Sequence, residues 1–236
     1  MDKQQSIIRM FDEISPTYDK LNRVLSFGVD RRWRRRGCES ALKIFGGKSA
    51  ILIDAATGTG DLIAFWRKAA AKLGVTIDLA YGVDPSQNML SVAATKPLNA
   101  TLIKSEATAI PLPDGEADLL SISYGIRNVV EIDKALAEFY RLLKPNGVLL
   151  ILEFMRVERK SLSGRFVSFY LKRVLPAIGR LISKDPRAYT YLPESIDDFL
   201  SAEELCEKLK SAGFEIAQVW DETFKISTRF IARKRQ

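Results

Sequence analysis

The stretch Ile51–Leu62, ILIDAATGTGDL, runs from an apolar strand-like segment through two closely spaced glycines into a helix-forming sequence. Gly58 and Gly60 let the backbone turn sharply and come close to a ligand, and the helix that starts near Asp61 turns its free N–H groups toward it. Strand, glycine turn and helix in that order read as the first unit of an α/β nucleotide-binding sheet.

The pattern extends outward from this unit. Downstream, strand-like Thr76–Val83, Ala100–Lys104, Ala117–Ser123 and Val148–Phe154 alternate with helical Leu62–Leu73, Ser86–Thr95 and Asp133–Leu143. Alternation of this kind predicts βαβ units and a mostly parallel sheet, and runs such as VLLILEF suit strands buried on both faces. Residues 160–200 read as a basic, aromatic-rich helical insertion. Ala202–Ala212 reads as a helix, and Glu215–Asp221 with Phe224–Ala232 as an antiparallel hairpin at the sheet edge. Upstream, residues 3–45 read as helical, broken at Ser15-Pro16 and at Ser26-Phe27-Gly28. The expectation is a Rossmann-like α/β fold with a seven-stranded sheet. One domain spans 1–236: an N-terminal helical segment (1–48), a cofactor-binding core (49–158), a helical lid (159–200) and a C-terminal helix with two strands (201–236).

Composition removes several chemistries. The 236 residues contain no histidine, which excludes a Ser-His-Asp triad, an HExxH zinc site and any histidine base. Cys38 and Cys206 are the two cysteines and form no CxxC pair, so they read as ordinary thiols and no metal site is expected. No apolar run approaches the roughly 20 residues of a membrane span. The N-terminus lacks a signal-peptide pattern, which makes a cytoplasmic location the default. The net charge of +7 is compatible with nucleic acid, an anionic membrane or acidic small molecules.

Three details of the glycine loop favour S-adenosylmethionine over a dinucleotide. The third glycine of GxGxxG is replaced by Ile63, where close helix–strand packing beside a pyrophosphate requires a small residue. Asp61 at the helix start repels a pyrophosphate but suits an ammonium group. Gly82-Val83-Asp84 ends the second strand with a carboxylate placed to accept from ribose hydroxyls. Asp54, Ala56, Gly58, Thr59 and Gly60 of the loop then join Asp84 as cofactor-binding residues. Topology adds Glu106 and Ala107 beside the adenine and Ser123 beside the methionine part.

The chain resembles the ubiquinone/menaquinone biosynthesis C-methyltransferase family, as a demethylmenaquinone methyltransferase-like member of the class I methyltransferases, over nearly its full length. The resemblance rests on Tyr18–Asn22 with Leu25–Gly28 and Trp33, on Ser123–Val129 (SYGIRNV), on Arg141–Gly147 leading into Leu152–Phe154, and on Tyr189–Ile196 (YTYLPESI). The chain departs from the family pattern at Asp30, where a histidine is usual, and at Asn146 in place of a glycine. It departs again at Glu106, often an asparagine, and across Ile226–Phe230. The resemblance implies methylation of a ring carbon of a lipophilic quinol, demethylmenaquinol or the related benzoquinol. It implies substrate-side roles for Arg127, Asn128 and Tyr18, with Asp19 folding over the site beside Tyr18. Arginine stays protonated, so the expected role of Arg127 is to stabilise a developing phenolate or orient a water.

Arg31-Arg32-Trp33-Arg34-Arg35-Arg36 is open to three readings: RNA contact, a solvated helix face, or attraction to anionic lipid. Leu162–Ser183, with apolar residues near helical spacing and interspersed cations, supports the lipid reading and suits a lid over an isoprenoid tail, an interfacial element or a homodimer contact, with plain packing against the sheet the leading role of most of its apolar residues. Nucleic acid is not an expected partner. The rival functions are a methyltransferase acting on RNA or another small molecule, a nicotinamide-dependent oxidoreductase, and a non-catalytic binding module.

Overall fold

A computed structural model of the protein describes residues 2–156 and 187–235. Three N-terminal helices, α1 (Lys3–Ile14), α2 (Tyr18–Leu25) and α3 (Val29–Phe45), break where Ser15-Pro16 and Ser26-Phe27-Gly28 predict. Then follow β1 (Ser49–Ala55), α4 (Asp61–Leu73), β2 (Thr76–Asp84), α5 (Gln87–Ala94), β3 (Thr101–Lys104), β4 (Ala117–Ser123), a 3₁₀ turn (Ile126–Asn128), α6 (Ile132–Leu142) and β5 (Leu143–Glu153). The chain resumes with α7 (Arg187–Asp197), α8 (Ala202–Ser211), β6 (Phe214–Glu222) and β7 (Ser227–Lys234). Leu162–Ser183, read as a lid or membrane element, lies outside the described residues.

The seven strands form one sheet in the order β3-β2-β1-β4-β5-β7-β6, parallel except for β7, which runs antiparallel to both neighbours. The expected fold class is correct. The late pair forms the expected antiparallel hairpin at the sheet edge, with β7 against β5 and β6 outermost. Strand β5 begins at Leu143, earlier than the sequence suggests, since Ala117 pairs with Leu143 before the register shifts to Leu119 and Val148. Asn146 in that shift has φ 64°, a conformation that asparagine tolerates better than most residues, so it stands in for the usual glycine.

Side chains that alternate along a strand face opposite sides of the sheet. Ile53, Leu120, Leu149 and Ile151 pack with Phe139 of α6 and Leu205 of α8 on one face. Leu52, Leu119, Leu150 and Leu152 pack with Trp33 and Leu42 of α3 and Trp66 of α4 on the other. Coverage of both faces explains why β1 and β5 read as unbroken apolar runs. Strands β1 and β4 lead to opposite halves of the sheet, and this reversal opens a crevice at their C-terminal ends.

Candidate functional site

A cleft occupies that crevice, enclosing about 690 Å³ with the open solvent at its mouth counted in. Each strand end contributes to its wall. Ala56 and Gly58 follow β1, Asp84-Pro85-Ser86 end β2 and enter α5, Glu106-Ala107-Thr108 follow β3, and Ser123-Tyr124-Gly125 end β4. Asn128 and Val129 of the 3₁₀ turn continue the wall, and Tyr18 of α2 lies above Gly58. Helix α1 covers the remainder with Ile7, Ile8 and Phe11. It is fastened at both ends. Asp12 accepts from Ser86 Oγ (2.5 Å) and Asn88 N (3.1 Å), and Gln4 Oε1 accepts from Val130 N (3.0 Å).

Eight of the expected site residues therefore line one cleft: Tyr18, Ala56, Gly58, Asp84, Glu106, Ala107, Ser123 and Asn128. Asp54, Thr59, Gly60 and Arg127 do not. Asp54 lies buried beneath the loop and accepts from Thr57 Oγ1 and Ser121 Oγ, both at 2.7 Å, while Trp66 Nε1 donates to Ser121 Oγ. Burial pushes the Asp54 pKa up to about 6, against the lowering effect of those two hydroxyls. Gly60 adopts φ 79° at the start of α4. The missing third glycine has a structural counterpart. Ile63 is fully buried, and the close approach it would otherwise prevent is supplied by Gly82 of β2, whose Cβ would lie 3.1 Å from Ile63 Cδ1.

Asp84 receives Gly58 N (2.8 Å) on one carboxylate oxygen and Ser86 N (2.9 Å) on the other. Burial raises its pKa to about 6 despite these donors, with a further push from Asp12. Each oxygen keeps a lone pair for a diol. Asp61, expected to face an ammonium group, instead meets the protein's own cations: Lys96 Nζ at 2.9 Å and Arg23 Nη2 at 2.6 Å. Burial alone would raise its pKa, but these two cations hold it below the usual carboxylate range. Lys96 also reaches Asp19 (2.6 Å), and Asp19 accepts from Thr59 Oγ1 (2.6 Å). Through Asp19 the N-terminal segment is tied to the glycine loop.

In the 3₁₀ turn after β4, Arg127 Nη1 sits 2.6 Å from Glu153 Oε1 and 2.8 Å from the Tyr124 carbonyl. Its guanidinium charge is matched inside the protein by a fully buried carboxylate. Tyr124 has φ 57°, a region that costs an L-residue about 1–2 kcal/mol. The Arg127 bond to its carbonyl and the 2.7 Å bond from its N–H to the Leu152 carbonyl hold it there. Ala56, across the cleft floor, is also left-handed at φ 47°.

Comparison with known proteins agrees with this geometry. A sequence model of the ubiE/COQ5 methyltransferase family matches residues 1–234. The chain belongs to that family. The ubiquinone/menaquinone biosynthesis C-methyltransferase UbiE of Campylobacter jejuni is 47% identical over 99% of this chain and 100% of its own length. The demethylmenaquinone methyltransferase of Thermus thermophilus is 41% identical over 88% of this chain and 92% of its own. Among solved structures, a SAM-dependent methyltransferase of Thermotoga maritima covers 97% of this chain and 100% of that one, with TM-score 0.61 and 20% identity. The [4+2]-cyclase SpnF covers 99% and 96%, with TM-score 0.67 and 17% identity. Those two likenesses concern the fold, and a cyclase among them shows how little the fold alone dictates reaction.

Two of the departures from the family pattern sit in local hydrogen-bond networks. Asp30 is buried and takes Arg23 (3.0 Å) and Ser26 Oγ (2.7 Å) as partners, with Arg34 Nε at 3.6 Å. Ser227, within the divergent Ile226–Phe230 stretch, shares a 3.1 Å hydrogen bond with the Tyr124 hydroxyl behind the cleft. The arginine cluster divides by face. Arg34 is buried and donates to Ser123 Oγ (2.6 Å), and Arg36 pairs with Glu222 (3.4 Å), whereas Arg31, Arg32 and Arg35 are exposed. Sequence reasoning missed the contribution of α1, although apolar Ile7, Ile8 and Phe11 at helical spacing carried the signal. It also missed Glu153, whose partner Arg127 lies 26 positions away.

Proposed function

We propose that this protein methylates a ring carbon of a reduced polyprenyl quinone precursor, demethylmenaquinol or the related benzoquinol, with S-adenosylmethionine as donor. The names of its relatives support the reaction. One observation carries the choice of cofactor: in a chain of net charge +7, the described residues that line the cleft include two carboxylates, Asp84 and Glu106, and no lysine or arginine. Such a lining favours a cationic ligand and disfavours a pyrophosphate or a nucleic acid backbone.

The residues present fit this cofactor. Asp84 retains acceptor capacity for a ribose diol, the backbone at Gly58 is open to the cleft, and Met89, Ile7, Ile8 and Phe11 supply apolar walls. The bound cofactor supplies an electrophilic methyl group on a positively charged sulfur. This chain's own residues do the rest. Asp84 and Gly58 hold the adenosine part, Glu106 and Ala107 flank the base, and Ser123, fixed by Arg34, faces the methionine part. Asn128 and Tyr18 position the quinol ring, and α1 excludes water above it. Alignment of this kind is worth roughly 7–11 kcal/mol in favourable intramolecular cases. The proposed role of Arg127 becomes indirect, because Glu153 already neutralises its charge.

The finer proposal on location is peripheral contact with an anionic bilayer. No helix among the described residues is long and apolar enough to cross a membrane. Phe27 is 74% exposed on the turn before α3, close in sequence to exposed Arg31, Arg32 and Arg35. Attraction of such cations to anionic lipid falls with salt.

The test supplies purified protein with S-adenosylmethionine and demethylmenaquinol in anionic vesicles, and follows the quinol by mass spectrometry. The expected product is the singly methylated quinol, with vesicle binding that weakens as salt is added. Tight cofactor binding with no methylated quinol would refute the reading.

A further inference from the structure

Helix α7 carries Tyr191 and Ser195, four positions apart and so on one face, against the 3₁₀ turn Ile126–Asn128. Ser195 Oγ accepts from Arg127 Nε (3.3 Å) and donates to the Leu192 carbonyl (3.0 Å). Tyr191 Oη donates to Asn128 Oδ1 at 2.8 Å. Asn128 is buried and lines the cleft, whereas Tyr191 does not.

A carboxamide has nearly the same shape in its two flipped orientations, but presents opposite hydrogen-bonding groups. Only a neighbour of fixed sense decides between them. The Tyr124 carbonyl can only accept, so it draws Nδ2 to its side, and Oδ1 then faces α7, where the Tyr191 hydroxyl donates to it. Burial raises the Tyr191 pKa, which keeps this donor protonated. On the Nδ2 side, the partner within the described residues is the Tyr124 carbonyl at 3.4 Å, which already accepts a 2.8 Å bond from Arg127. An amide NH₂ has two hydrogens, so this weak contact leaves donor capacity on the side away from α7.

We infer that Tyr191 is a positioning residue that, together with the Tyr124 carbonyl, locks the Asn128 carboxamide so that a donor, not an acceptor, meets the ring oxygen of the substrate. The inference rests on the quinol-methylation reading and deepens it. A donor there binds the ionised ring oxygen better than the neutral hydroxyl, and the ionised form makes the neighbouring carbon the stronger nucleophile.

Three measurements test the lock. Tyr191→Phe removes one neutral hydrogen bond and is expected to lower kcat/KM for the quinol about tenfold, with cofactor affinity by calorimetry unchanged. Asn128→Asp turns an oxygen toward the ring oxygen, so activity is expected to fall at least about 100-fold at neutral pH and to recover partly on acidification, when the new carboxyl carries a proton it can donate. A wild-type-like pH profile in Asn128→Asp, or full activity in Tyr191→Phe, overturns the proposal. The lock is also readable without turnover. The side-chain ¹⁵N resonance of Asn128 is expected to be sharp in the wild type and exchange-broadened in Tyr191→Phe. An unchanged resonance overturns the lock. A broadened one, in a protein that binds cofactor but never methylates quinol, overturns the functional reading alone.

Discussion

Replacing Glu153 by glutamine is expected to expose the energetics of the buried ion pair behind the 3₁₀ turn. Glu153 is fully buried and the Arg127 side chain is 6% exposed, at an Nη1–Oε1 distance of 2.6 Å. The carboxylate also accepts from Arg127 N (3.3 Å) and Phe154 N (2.8 Å). Glutamine keeps the shape and one acceptor but leaves the guanidinium charge unmatched. Removing one partner of a buried ion pair costs about 3–5 kcal/mol. At roughly 2–4 °C per kcal/mol for a chain of this size, Tm is expected to fall by about 6–20 °C. Adding Arg127→Met to Glu153→Gln removes the stranded charge, so the double variant is expected to regain most of the loss. Urea denaturation of the wild type, Glu153→Gln, Arg127→Met and the double variant, with unchanged m-values as the check on two-state behaviour, supplies the coupling energy. A loss under about 1 kcal/mol for Glu153→Gln, or simple additivity in the double variant, would show that the pair does not act as a buried charge couple.

Cofactor affinity is expected to depend on Asp84. Its folded-state pKa is raised to about 6, chiefly by burial. The ionised form is the better acceptor for a ribose diol, so affinity for S-adenosylmethionine should be full above pH 7 and weaken about tenfold by pH 5. Asp84→Asn should bind weakly at every pH, and a flat wild-type profile between pH 5 and 8 would count against the assignment. Because that pKa lies above the unfolded value, the folded state holds the extra proton between about pH 4 and 6. The contribution of Asp84 to stability therefore declines as pH rises through this window, and Asp84→Asn should remove that component from a stability–pH curve measured without cofactor. Gly82→Ala brings a Cβ to 2.9 Å from Leu102 Cδ2 and 3.1 Å from Ile63 Cδ1. Overpacking of this kind costs about 1–3 kcal/mol. Ile63→Val should recover part of it, and an unaltered denaturation midpoint in Gly82→Ala would show that the contact is loose.

The sheet was legible in the sequence because its physics is local. Buried strands such as Val148–Leu152 announce themselves by apolar continuity, and Ser15-Pro16 and Gly28 mark breaks that any helix must respect. The cleft was legible where strand ends supply it, at Ala56, Gly58, Asp84, Ala107 and Ser123. What stayed hidden depends on partners far along the chain. Nothing near Asp61 reveals that Lys96 and Arg23 will occupy it, and nothing near Arg127 points to Glu153 or Ser195. The five arginines of residues 31–36 read as one charged block. Helical geometry separates them, burying Arg34 against Asp30 and Ser123 while leaving Arg31, Arg32 and Arg35 in solvent.

The position of β7 between β5 and β6 reverses the order of synthesis at that side of the sheet. Strand β6 is made first, yet its partner in the sheet is β7, from Phe214 with Lys234 to Glu222 with Ser227, with one register shift between Ile216 and Gln218. Until residues 227–234 leave the ribosome, β6 has no strand to join. The edge of β5 that will receive β7 stays open, and Phe230 is missing from the core around Phe139 and Leu205. Domains built N-terminal first expose such edges transiently, and an unpaired edge is a template for aggregation. In this chain the crevice strands β1, β2 and β4 can pair early, while the flank that closes the sheet must wait for one of the last strands to emerge.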